Sequence, residues 1–516
     1  MSNASKPTSS PRVSVATIVK NDADGLSQTL QCIEGIADQI VVVDTGSSDN
    51  TREVARQFGA NVVDFEWCDD FSAARNHALA HVDGDWVLWL DAGETICQSQ
   101  TIELKRAITG GQVNPASAYM MVVKPPAAPG VIAAEQVARL RLIPNRQGVR
   151  FQGRIRESLH ETLDNVGIAI DGLPFRIIRG PRDHDETIKR GRAQRNLRLA
   201  DLEARQQQRS PQLLNCLAEA AQTLGNTQTA IDLYGECLEA DSTASCERLE
   251  AFYGLLTSLD GTPGARAAQL SLCIKALEQF PLDAQLLCAM GGYLQADDRI
   301  DLAIRSYQTA FEYGRVNPLV WHLDEITAIA AVCWSAALQT QGKDDESLQV
   351  LQTAIEREGS TPRLARAMME LHIKHGRKDD ALSQIVHIVT SDEAQALLKL
   401  AVTGAVLASG QQWAPALTLL QQALDGGCRD ITCLRWLAIA RLSAGDADAA
   451  RQILALWQQT HAGDPEPLRI LQALNAPEPT PPPDAKADRR ADSPAAAASS
   501  TMHAAQSAIP TAGAHR

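Results

Sequence analysis

The stretch "QIVVVDTGSSDNT", residues 39–51, decides the fold. An apolar run through Val43 ends on Asp44, Gly46-Ser47-Ser48 supplies a turn, and "NTREVARQFG", residues 50–59, continues as a helical stretch. A short run that is apolar on both faces is what a strand looks like when helices cover both sides of its sheet. The plan recurs at "WVLWLDAGE", residues 86–94, where the strand ends on Asp91 and the next acid is Glu94. Working outward, "RVSVATIV" (12–19) and "NVVDF" (61–65) read as strands. "GLSQTLQCIEGI" (25–36) and "DFSAARNHALAHV" (70–82) read as helices, with Leu26, Leu30 and Ile33 on one face. Strands alternating with helices predict right-handed crossovers and a Rossmann-like, mostly parallel sheet over residues 12–205.

Beyond residue 205 the strand signal stops and a period appears. A glycine, four residues and then a small residue opening a helix recur as Gly225/Ala230, Gly342/Ser347, Gly376/Ala381 and Gly445/Ala450. Gly410/Ala416 is one residue longer, and Asp298 replaces glycine ahead of Ala303. The small positions 347, 381, 416 and 450 step by 34, 35 and 34. Apolar positions four and seven further on, as in Ala230/Tyr234/Cys237, share a helix face. A small residue there allows two helices to cross closely, and the glycine permits the turn between them. This pattern resembles the tetratricopeptide repeat, whose period is about 34 residues, and predicts an all-α solenoid over 206–474, irregular near 241–280 and 312–341. Residues 1–11 and the Pro/Ala-rich 475–516 have too little apolar content to order themselves and are expected as disordered ends.

The chain has 516 residues, enough for two to four domains, and a net charge of −14 that argues against a non-specific nucleic-acid binder. Its 11 cysteines lie mostly in apolar contexts without CxxC pairs and read as reduced core residues. No run reaches the length of a membrane span, and "MSNASKPTSSPR" lacks a secretory h-region, so a cytoplasmic protein is expected.

In an open α/β sheet, ligands sit beyond the carboxyl ends of the strands. Asp44 and Asp91 fall there, with Lys20 and Asn21 at the end of the first strand and Arg75 and Asn76 on the helix before the Asp91 strand. Taken together, in order, "VATIVKNDADGLSQTLQCI", "QIVVVDTGSSDNTREVARQFGANVVDFEWCDDFSAARNHALAHVDGDWVLWLDAGE" and the later "RLRLIPNRQGVRFQGRIRESLHE" resemble a family 2 glycosyltransferase of the GT-A fold, nearest the bacterial subgroup that carries tetratricopeptide repeats. The resemblance implies a hexosyltransferase-type enzyme. It implies a nucleotide-sugar donor bound near Asn21, Asp44, Arg75, Asn76 and Asp91, and a protein, peptide or glycan acceptor. It also implies direct inverting displacement with Glu157 as base, and Mg²⁺ or Mn²⁺ held at Asp91 and Glu94.

Three departures bear on the cation. The Asp-x-Asp pattern reads Asp91-Ala92-Gly93, Arg156 stands where the subgroup has histidine, and "FRIIRGPRD" has no histidine in register, His184 lying out of place. Two explanations stay open: Arg156 or Arg179 takes over charge neutralisation, or the domain is a non-catalytic scaffold or sensor whose repeats bind partners. At the level of single residues, Asp49 is a better helix cap than Asp44, Arg75 has Asp69 and Asp70 as alternative partners, Trp86 and Trp89 should face opposite sides of their strand, and Trp67 is a candidate for the site's edge.

Overall fold

The computed structural model describes residues 10–125, 135–180, 185–206, 209–240, 244–260, 262, 264–461, 464 and 466–475. Apart from residues 10, 11 and 475, the polar ends expected at 1–11 and 475–516 lie outside the described residues, as does His184. The chain divides into two compact units. Among the described residues the first holds 10–125, 135–276 and 317–324, and the second holds 277–316 and 325–475.

The first unit is an α/β domain of the GT-A-like kind with helices following it. Its strands are β1 (Val13–Val19), β2 (Gln39–Asp44), β3 (Asn61–Asp64), β4 (Trp86–Trp89), β5 (Ser117–Lys124), β6 (Glu135–Pro144) and β7 (Ala169–Ile178). They interleave with α1 (Ala23–Cys32), α2 (Thr51–Gln57), α3 (Phe71–Leu79), α4 (Gln98–Thr109) and α5 (His160–Asn165). The sheet order is β3-β2-β1-β4-β6-β5-β7. β1 runs parallel to both β2 and β4, and β6 is antiparallel to β4 and β5. Short β8 (His322–Leu323) also pairs antiparallel with β6.

The two-sided apolar pattern of the central strands has its cause in the two cores. Val13, Val15, Val42, Trp86 and Leu88 pack on one face with Leu26, Leu30 and Ile33 of the α1 region. Ala16, Val41, Val43, Val87 and Trp89 pack on the other with Phe151 and Leu163. Trp86 and Trp89 thus do face opposite sides. Each fully buried Leu, Ile or Val of this kind contributes about 1.5–3 kcal/mol.

Register places the two strand-end acids. Asp44 lies opposite Val19 on β1, and Trp89 opposite Ala16, so Asp91 is level with Ile18. The acids flank β1 at the same edge, two strand spacings or about 9.6 Å apart across the sheet.

Helices α6 (Glu186–Ala204), α7 (Pro211–Thr223), α8 (Thr227–Glu239), α9 (Ser245–Leu259) and the start of α10 (Arg266–Gln279) complete the first unit. The second is helical, with α11 (Ala284–Ala296), α12 (Ile300–Tyr313), α13 (Ile326–Thr340), α14 (Asp344–Glu358), α15 (Pro362–Lys374), α16 (Lys378–Ser383) and α17 (Ile385–Ile388). It continues through α18 (Asp392–Ser409), α19 (Trp413–Asp425), α20 (Ile431–Ser443), α21 (Ala447–Thr460) and α22 (Glu466–Asn475).

The repeat register holds in detail. Ala230, Ala303, Ser347, Ala381, Ala416 and Ala450 are all fully buried in the second helix of a pair. Five residues before each stands a left-handed backbone position: Gly225, Asp298, Gly342, Gly376, Gln411 and Gly445. In the fifth of these the turn residue is Gln411 (φ 61) and not Gly410, which restores the spacing that the sequence made one residue too long. Among the described residues of the irregular 241–280 stretch the same spacing recurs, with Gly264 (φ 78) five residues before buried Gln269, whose amide donates to Asp260 at 2.8 Å. Among the described residues no helix is long and apolar enough to cross a membrane. Seven cysteines are buried, all 11 are free thiols, and Cys68 and Cys97 are exposed.

Candidate functional site

Asp44 ends β2 with only 1% of its surface exposed. Its Oδ1 accepts the backbone N–H groups of Gly46 and Ser47 and the Arg52 guanidinium, each at 2.9 Å. Gly46 at φ 98 is the residue that lets the chain turn back onto the carboxylate. Burial by itself would raise this carboxyl; the hydrogen bonds from Ser47, Arg52 and Gly46 hold it below the usual range. Oδ2 is buried and has no hydrogen-bond partner among the described residues. A buried acceptor without a donor is costly, and is the kind of group a ligand hydroxyl or imide would satisfy. Asn21, at φ 50 beyond β1, braces the same loop: its Oδ1 accepts Ser48 N at 2.7 Å and its N–H donates to Ser47 Oγ at 2.9 Å. Asp49 accepts the Thr51 N–H at 3.1 Å, so the start of α2 is served without Asp44.

The end of β4 is built differently. Residues 91–94 form a tight turn closed by Glu94 N to Asp91 O at 2.9 Å, with Gly93 at φ 91. That backbone conformation favours glycine. The Gly93 N–H donates to Thr29 Oγ1 at 2.9 Å. The turn does swing Glu94 back toward Asp91: Glu94 Oε2 accepts the Asp91 N–H at 3.0 Å. Its Oε1 is taken by Arg141 on β6, at 2.7 Å. The Asp91 side chain, 40% exposed, receives Trp89 Nε1 at 3.1 Å and Arg75 at 3.2 Å, with Arg141 at 3.6 Å. Burial works to raise the Asp91 carboxyl, but Arg75, Arg141 and Arg179 outweigh it and hold it low. In Glu94 burial prevails over Arg141 and pushes the carboxyl up.

Arg75 is the hub. From α3 its Nε donates to Glu157, another nitrogen pairs with Asp91, and its guanidinium lies 4.5 Å over the Trp89 ring and 5.4 Å from that of Phe151. The alternative pairing with Asp69 or Asp70 is not made: Asp70 caps α3 through Ala73 N at 2.9 Å, and Asp69 pairs with Arg198. The structure therefore brings Asp91, Glu94, Arg75 and Glu157 together, with Asp44 and Asn21 across β1. Asn76 spends its amide on the Phe151 backbone, donating to O at 2.8 Å and accepting N at 2.7 Å. Trp67 donates to Asp69 at 2.8 Å and stacks edge-on with Phe71.

One arginine expectation changes. Arg156 does not face Asp91; its guanidinium pairs with Glu219 of α7 and Glu250 of α9. Arg141, which the sequence reading passed over, pairs with Asp91 and Glu94 instead, and Arg179 adds its charge to the same carboxylate. The only signal was an arginine two residues from another inside the apolar strand "ARLRLIP".

A divalent cation held by side chains at Asp91 and Glu94 would need both carboxylates turned to a common point. Glu94 is spent on Arg141 and the Asp91 N–H, Gly93 brings no ligand, and guanidinium groups flank Asp91. Among the described residues no cluster of three His, Cys, Asp or Glu is arranged for a metal ion. This donor set does not fit the cation expected there.

Residues 14–96 match the model of glycosyl transferase family 2. A TPR repeat-containing protein of Synechococcus elongatus is 33% identical over 159 residues, which cover 31% of this chain and 37% of that protein. An uncharacterized glycosyltransferase of Rickettsia prowazekii is 27% identical over 110 residues, covering 21% and 37%. The chain thus spans little more than a third of the length of these curated relatives. A tetratricopeptide repeat protein of Parabacteroides merdae matches 49% of this chain and 93% of its own, at 12% identity and a TM-score of 0.38.

Proposed function

We propose that the α/β domain transfers a sugar from a nucleotide-sugar donor to a hydroxyl of a protein, peptide or glycan, and that the helical repeats hold that acceptor or a partner. The observation that carries this reading is the pairing of two unlike acids at one sheet edge: Asp44 with a buried oxygen lacking a donor, and Asp91 linked through Arg75 to Glu157. Asp44 Oδ2 accepts a hydroxyl or imide proton of the nucleoside. The acceptor oxygen attacks the anomeric carbon and the bond from that carbon to the diphosphate breaks. The electron pair leaves with the nucleoside diphosphate, and the hydroxyl proton passes to Glu157. Arg141 and Arg179, beside Asp91, meet the charge that grows on the leaving group, as guanidinium groups do for phosphate oxygens. One displacement inverts the anomeric centre.

A second reading has its own observation. Asp91 and Glu157 share one guanidinium and Glu94 is bound by another, so the cluster is also a self-satisfied structural element, suited to a scaffold whose repeats do the work. The full-length protein is offered a panel of UDP- and GDP-sugars with Mn²⁺ or with EDTA, and nucleoside diphosphate release is measured. Release that Asp91→Ala abolishes supports the transferase. No release from any donor, with or without an acceptor lysate, refutes it.

A further inference from the structure

Residues 152–158, which carry Glu157, form a small loop closed on itself: Gln152 N donates to Ser158 O and Ser158 N to Gln152 O, both at 2.9 Å. Its contacts on one side are to α3. Phe71 N donates to Arg154 O at 3.0 Å, and Arg154 donates to Asp69 O at 3.2 Å. On the other side it meets the helices that follow the sheet. The Arg154 N–H donates to Glu203 of α6 at 3.1 Å, and Ile155 packs against Ala200, Leu213, Cys216 and Leu217. Arg156 reaches Glu219 at 2.6 Å and Glu250 at 2.7 Å, and Gln212 Nε2 donates to its carbonyl at 3.4 Å. Glu250 is in turn held by buried Asn215, at 3.3 Å.

Arg156 sits at φ 52, a left-handed conformation uncommon for a residue with a side chain. Such a conformation persists where surrounding contacts enforce it. Here it lets consecutive side chains go to different partners: Arg156 to the helices, Glu157 to Arg75. Burial acts to lower the Arg156 pKa, and the two glutamates more than reverse this, so its charge is secure.

We infer that Arg156 is a positioning residue: by clamping the 152–158 loop to α7 and α9 it fixes Glu157, and through Glu157 it holds Arg75 against Asp91. The first helices after the sheet are on this account part of the catalytic apparatus and not an appended module. The inference rests on the transferase reading for its kinetic consequence, while its structural half stands independently.

The test uses full-length Arg156→Gln, Arg156→Lys and Glu250→Gln proteins with three readouts: donor turnover against pH, affinity for UDP or GDP by calorimetry, and hydrogen exchange across 152–158. Misplacement of a reacting group by about 1 Å costs up to about 100-fold in rate. Arg156→Gln is therefore expected to lower kcat between about 10- and 100-fold with nucleotide Kd unchanged, to alter the acidic limb of the pH profile, and to speed exchange in 152–158. Arg156→Lys, which keeps the charge, recovers part of each, and Glu250→Gln reproduces the loss. If the wild type turns over no donor, the transferase reading fails, and faster exchange in 152–158 and α3 alone still supports the clamp. Unchanged exchange in Arg156→Gln overturns the clamp. So does a variant that loses kcat, nucleotide affinity and thermal stability together with no recovery in Arg156→Lys.

Discussion

The carboxyl ends of β2 and β4 carry the same kind of residue and use it in opposite ways. Asp44 draws its donors from the turn and helix that follow it, Gly46, Ser47 and Arg52, and disappears into the protein. Asp91 accepts Trp89 Nε1 from its own strand but draws its charged partners from distant elements, Arg75 on α3 and Arg141 on β6, and keeps part of its carboxylate open. A strand-end acid is therefore not a role in itself. When the local backbone satisfies it, it shapes a loop; when remote cations hold it, it becomes the centre of a charged cluster.

The largest break in this contrast should come from Asp91→Ala, expected to cut donor turnover on the order of 100-fold or more. Because the side chain is partly exposed and Arg75 retains Glu157, melting temperature should move little; a collapse of folding would show that the two ends are alike after all. Next is Arg75→Lys. A single ammonium cannot span Glu157 and Asp91 while stacking on Trp89, so a fall of about tenfold in turnover is expected, with nucleotide affinity kept.

Asp44→Ala should act on stability first, removing the acceptor of two backbone N–H groups and a guanidinium at a cost of about 1–3 kcal/mol by urea titration, and weakening nucleotide binding. The sign of its pH dependence follows from the depressed carboxyl. The stabilisation from Asp44 is present above its ordinary value of 3.8 and is lost as pH falls through the lower folded value. The gap between wild type and Asp44→Ala should therefore be widest near neutrality and close in acid. The smallest effect is expected from EDTA. If guanidinium groups carry the diphosphate charge, chelation changes turnover by less than about twofold, whereas loss of all turnover would restore a cation to the Asp91 end.

Much of the fold was legible. The apolar runs of β1, β2 and β4 reflect burial on both faces, and the 34-residue step marks where helices must cross over a small side chain. Even the exceptions are instructive: Asp298 and Gln411 occupy left-handed turns where glycine was expected, because the spacing to the crossing residue, and not the glycine itself, is what packing enforces. At the site, the strand-end positions of Asp44 and Asp91 were readable, but their partners were not. The sequence leaves Arg75 between Asp69 or Asp70 and the nucleotide, and offers Arg156 or Arg179 to the diphosphate. The structure gives Arg75 to Asp91 and Glu157, and Arg156 to two glutamates more than 60 residues further along the chain.

The sequence by itself determined where strands end, where helices pair and which acids stand at the sheet's edge, since hydrophobic periodicity and turn chemistry act over a few neighbouring residues. Only the tertiary structure decided which charges meet. An ion pair depends on distance through space and on shared burial, and the antiparallel return of β6 that delivers Arg141 to Glu94, like the helices that capture Arg156, leaves no mark on the local pattern of either partner.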